Sequence, residues 1–141
     1  MGIKHLTSLP FSCKPRGIST ESFAKLEKFG KKNGLTQATI LLGIYALVLA
    51  KVSRRDDLVL GNVYSGRNHS VVEIDRAIGL FINTLPVAFN LGSSDTFIEW
   101  LKYHQIVQSE HVEHGHIGLG SIQALAGFSG QAIFDALFRE R

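Results

Sequence analysis

The chain has 141 residues, 45% of them hydrophobic and 19% charged, with a formal net charge of +3. That length allows one domain at most, or part of one, and the apolar share argues for a packed core and against disorder. The slight positive charge is not gathered into a block of the kind that marks a nucleic-acid-binding arm.

Residues Met1 to Ile18 hold Pro10, Pro15 and Gly17 and read as an extended lead-in. They contain no apolar h-region, so they are no signal peptide. Cys13 is the sole cysteine, which rules out a disulfide framework or a CxxC metal pair and fits a reducing cytoplasm. Ser19 is placed to cap a helix reaching about Asn33, with Phe23, Leu26 and Phe29 on one side. Lys25, Lys28, Lys31 and Lys32, interleaved with Glu21 and Glu27, make its other side a solvated face. Asn33-Gly34 ends it, because glycine tolerates the left-handed conformation there.

Thr36 can cap a second helix, Gln37 to about Ser53, that is apolar nearly all round and is expected to lie buried between layers. Its apolar stretch, Ala38 to Ala50, is shorter than the roughly 20 residues of a membrane span, so no membrane partner is expected. After the polar turn 54–57, Leu58 to Val63 has the pattern of a strand covered on both faces. Ser65-Gly66-Arg67-Asn68 then forms a loop.

Phe81 to Phe89 reads as a second strand, with Phe81, Asn83, Leu85 and Val87 on one face. Pro86 cannot donate to a ladder, which places that strand at an edge or gives it a bulge. After a turn at 91–94, Thr96 with Glu99 forms a capping-box pattern at the head of a helix reaching about Glu113. Phe97, Leu101, His104 and Val107 or Gln108 are its expected inner stripe, with Trp100 flanking. Gly115 and Gly118 end it; a short helix around Ser121 to Leu125 and an apolar run, Ile133 to Phe138, close the chain. This order of elements predicts an α/β or α+β layered fold whose few strands are a small cover for a wholly apolar helix.

Several constellations could carry chemistry. His111, His114 and His116 lie close together beside Glu110 and Glu113, but they do not form HExxH and Gly115 breaks the helix; they read as solvated or locally hydrogen-bonded, and no metal site is assigned. His5 and His69 are isolated. No GxSxG elbow or phosphate-binding glycine motif occurs, and no catalytic residue is assigned. Two polar positions stand out. Arg67 follows Ser65-Gly66 at the end of a buried strand, where α/β folds place ligands. Asn83 lies within an apolar run, where an unbonded buried amide costs about 1–3 kcal/mol. Structural roles, a tied-down bulge for Asn83 and an ion pair for Arg67, remain open for both.

Four segments in this order resemble the C-terminal lobe of condensation domains from nonribosomal peptide synthetases. Gly34 to Leu42 with Ala46 to Leu49 is similar to one of its helices. Asp56 to Gly61 with Ser65-Gly66-Arg67 resembles its strand and following loop. Ile78 to Pro86 matches the family's IGxFxNTLP block. His116, Leu119, Ile122 and Gln123, followed by Phe134-Asp135 and Leu137-Phe138, resemble its closing motifs. Ala88 and Gly118 stand where the family usually has Arg and Pro, and the family pattern continues beyond Arg141.

The resemblance implies a two-layer α/β sandwich, a chloramphenicol-acetyltransferase-like half-domain comprising the C-terminal lobe only, over residues 19–141. It implies a channel shared with an N-terminal lobe, into which carrier-protein domains present substrates on phosphopantetheine arms, with no cofactor bound directly. The acceptor amine attacks the donor thioester there, and an HHxxxDG motif on the N-terminal lobe supplies the key histidine; these 141 residues contain no His-His pair. Asn83, Arg67, Ser65 and Gly66 are the implied channel residues. The chain is expected to be inactive alone and to need the N-terminal lobe, in cis or in trans. The alternatives are an interaction module, such as a homodimer, that pairs through an exposed lobe face, an inert remnant, or an independent acyltransferase.

Overall fold

The computed structural model describes residues 17–65, 73, 76, 78–92 and 96–139. Its elements are α1 (Thr20–Asn33), α2 (Gln37–Ser53), β1 (Asp57–Tyr64), β2 (Asn83–Asn90), α3 (Phe97–His114), α4 (Leu119–Leu125) and β3 (Leu137–Phe138). The helix starts follow local chemistry. The hydroxyl oxygens of Ser19, Thr36 and Thr96 accept the backbone N–H of Ser22, Thr39 and Glu99 at 3.2, 3.1 and 3.2 Å, relieving the unbonded donors of each first turn. The Thr96 hydroxyl also donates to Glu99 Oε2 at 2.8 Å, a variant of the expected capping box. Gly34 closes α1 with φ 68°.

The sheet runs β2-β1-β3. β1 and β2 are antiparallel with Asp57 opposite Asn90 and Tyr64 opposite Asn83, while β3 lies parallel to β1 with Leu137 opposite Gly61. β2 is an edge strand, so Pro86 removes no bond that a further strand of this sheet receives. Phe81 and Ile82 precede β2 rather than opening it. Of the run 133–138, only Leu137–Phe138 is strand.

α2 and α3 cover one face of the sheet. The core joins Ile40, Leu42 and Ala46 of α2, Leu60 of β1, Val87 and Phe89 of β2, and Trp100 and Leu101 of α3. Gly43 lets α2 and α3 meet: a Cβ there would strike the Leu101 side chain. Trp100, expected at the flank, is 3% exposed, and Phe97, expected inside, is 39% exposed. The indole N–H explains the exchange, because it donates to Asn90 O at 2.9 Å and locks the ring over the end of β2.

α2 is buried on one side only. Ile44, Leu47, Val48 and Val52 are exposed, Val52 to 78%, so the helix read as buried all round shows an open apolar face. A helix with this composition is ordinarily buried on both faces. Gln105 of α3 ties the helices together, its amide donating to Gly34 O at 2.8 Å and accepting from Thr36 N at 2.7 Å. Among the described residues no single helix is long and apolar enough to cross a membrane.

Candidate functional site

Of the polar positions singled out in the sequence, Asn83 and Ser65 lie at one corner, where β1 ends, β2 begins and α3 gives way to α4. Antiparallel register sets Tyr64 opposite Asn83. The Asn83 amide nitrogen donates to Gly115 O at 2.7 Å and Ile117 O at 2.9 Å, and its oxygen accepts from Thr84 N at 2.9 Å. Both amide hydrogens are therefore taken up by backbone carbonyls of the α3–α4 connection, and Asn83 acts as a clasp across 32 and 34 residues of chain. Gly115 is needed in that connection, since a Cβ would lie 2.9 Å from His111 O.

Ser65 follows β1 and is exposed at the same corner. Gly66 and Arg67 lie outside the described residues. His116 sits between the two clasped carbonyls, exposed, as is His114. Among the described residues no three His, Cys, Asp or Glu are grouped to hold a metal.

Behind the corner lie two groups the sequence did not bring together. The Tyr64 hydroxyl and His111 Nδ1 are buried, and neither has a hydrogen-bond partner in good geometry among the described residues, although the Asn62 side chain lies beside the Tyr64 hydroxyl; the two rings stand perpendicular with centroids 6.4 Å apart. Burial pushes the Tyr64 phenol above its ordinary value, with the nearby Asn62 side chain drawing it partly back. Burial also holds the His111 imidazole below its ordinary value, opposed by the charge of Glu110. The signal available in the sequence was the seven-residue spacing of His104 and His111, which puts both on one helix face.

At the other end of the sheet, His104 is 2% exposed and has no hydrogen-bond partner among the described residues on either ring nitrogen. Burial lowers its pKa to about 4. It lines a cavity of about 720 Å³ together with Tyr103, Phe89, Leu60 and Phe134, with Asp57 and Asp135 also in the wall. Among the described residues neither region joins a nucleophile, a base and an oxyanion donor. The described residues of the corner contain no general base in bonding reach of a hydroxyl or thiol nucleophile.

The condensation-domain family model matches residues 12–140, and the chain belongs to that family. It is 38% identical over 120 residues to vanchrobactin synthetase VabF of Vibrio anguillarum, a match covering 85% of this chain and 4% of that synthetase. The fold is similar to part of the condensation domain from the monacolin K polyketide synthase MokA, with TM-score 0.72 and 22% identity over 86% of this chain and 29% of that one. It is similar also to a four-domain nonribosomal peptide synthetase bound to AMP and glycine, with TM-score 0.77 and 17% identity over 88% of this chain and 10% of that one. The chain thus spans a small fraction of the proteins it matches, and its α/β layers correspond to part of a condensation domain.

Proposed function

We propose that residues 19–141 form the C-terminal lobe of an amide-forming condensation domain and supply one wall of its substrate channel, with residues 1–18 as the lead-in. The match of residues 12–140 to one family model carries this reading. Carrier proteins would present donor and acceptor on phosphopantetheine arms. The acceptor nitrogen attacks the thioester carbonyl, the C–S bond breaks, the thiolate leaves with its arm, and the amine's proton passes to a base. That base belongs to an N-terminal lobe outside these 141 residues. The one-cysteine composition fits work in the cytoplasm.

On this reading Asn83 is a positioning residue that holds the α3–α4 connection against β2. Ser65, Gly66 and Arg67 are the further channel residues on this reading. Holding both partners in a water-poor tunnel accounts for much of the acceleration such a transfer needs. The exposed apolar residues Ile78, Leu80 and Ile82, just ahead of Asn83, support a lobe contact here.

Titrating the chain with an isolated N-terminal lobe carrying HHxxxDG tests the reading. A one-to-one complex is expected. A stable homodimer that ignores the added lobe would favour the interaction module, a reading for which the open face of α2 speaks.

A further inference from the structure

His104 and His111 share the sheet-facing stripe of α3, His104 buried and His111 half-buried. The His104 ring is caged by Phe89 at 4.4 Å, Trp100 at 4.6 Å and Tyr103 at 5.2 Å between centroids. Among the described residues both its nitrogens lack partners, as does His111 Nδ1 against Tyr64. A neutral imidazole is tolerated in such a site at moderate cost. An imidazolium is costlier there, because its charge and second N–H donor find no bonded partner among the described residues.

We propose that α3 is an acid-released clamp: protonation of His104, reinforced by His111, lifts the helix from the sheet and frees the connection that Asn83 clasps. The charged surroundings do not relieve the strain in place. On α3 itself Glu110 lies beside His111, while Glu99, Lys102 and Glu113 are exposed. β2 carries no charged side chain and α4 none, and the sole charged residue within α2, Lys51, is exposed. β1 offers Asp57, which accepts from Asn90 Nδ2 at 2.6 Å, and Tyr64. The segment 133–136 offers Asp135, and Arg55 follows α2.

None of these bonds His104, yet Asp57 and Asp135 share the cavity that His104 lines. A charged ring that leaves its cage therefore has open volume and two carboxylates to move toward. That exit gives protonation a defined outcome, release of the helix.

The direction follows from burial. In the closed helix His104 binds a proton only near pH 4, against an ordinary value of 6.5 once released. The open form therefore takes up protons first. The closed form holds its full advantage above about pH 6.5 and loses it as the pH falls toward 4. Between pH 7 and pH 5 the open-to-closed ratio should rise about twentyfold from His104 alone.

Hydrogen exchange of the full chain at pH 7 and pH 5, corrected for intrinsic rates, reads this ratio. Expected is a rise of that size in amides of α3, with α1 little changed, and no such rise in the double variant H104L/H111L. Equal protection at both pH values in the wild type, or an equal rise in the double variant, overturns the proposal. If the double variant does not fold, the wild-type His104 ring titration by NMR decides. An apparent value well below 6, with α3 signals lost as it titrates, supports the clamp; titration near 6.5 with α3 intact overturns it.

Discussion

Replacing Asn83 by alanine removes three hydrogen bonds at once: to Gly115 O at 2.7 Å, to Ile117 O at 2.9 Å and from Thr84 N at 2.9 Å. A neutral bond contributes about 1 kcal/mol net, and more where a buried partner is left unbonded. The Ile117 bond is solvent-exposed, so water replaces much of it. The sum is a destabilisation of about 2 kcal/mol. Trp100, the only tryptophan, is buried against Phe89 and reports unfolding in urea by its fluorescence. Exchange at residues 115–117 should rise in step.

Asn83→Asp sharpens the test. Its carboxylate keeps an acceptor for Thr84 N but turns an oxygen toward two carbonyls, so at neutral pH it should be at least as unstable as the alanine variant. Acidification restores a donor, so the aspartate variant should gain on the alanine variant as the pH falls. A loss below about 0.5 kcal/mol in Asn83→Ala, within the usual surface range, with unchanged exchange at 115–117, would refute the clasp.

Other expectations follow from packing. Gly43→Val should cost about 1–3 kcal/mol by overpacking the α2–α3 contact, where even a Cβ meets Leu101; thermal melting reads it. Thr96→Ala should cost about 1 kcal/mol through the lost cap of α3, measured by urea titration, with Thr96→Ser close to wild type. Val48→Lys, on the open face of α2 and 53% exposed, should change stability by less than about 0.5 kcal/mol. If that face meets another lobe, the same variant weakens the association at least tenfold by titration calorimetry.

The helix starts and the register-setting strands were legible because their signals are local. A hydroxyl before an amphipathic run, or Gly34 after one, acts within a turn of chain. The burial of α2 was misjudged because an apolar periodicity states what a helix can bury and not which side has a neighbour. The swap of Phe97 and Trp100 turned on one distant acceptor, Asn90 O, which no helical stripe reveals. Asn83 was legible as an amide in need of partners, but the partners lie in the α3–α4 connection and only the fold brings them near. His111 was grouped with its sequence neighbours His114 and His116, whereas its ring faces Tyr64 on β1. The α/β layering and the condensation-domain resemblance, carried by collinear segments, agree with the observed fold and the family match.

The most direct test of the lobe assignment is an amide-forming transfer assay with donor and acceptor thioesters on carrier proteins. The 141-residue chain is assayed alone, then mixed with an N-terminal lobe carrying HHxxxDG, with the motif's second histidine replaced by alanine as control. Product in the mixture, none with the chain alone and none with the control, is the predicted result. Transfer by the chain alone, or a well-formed complex of the two lobes that makes no product, would contradict it.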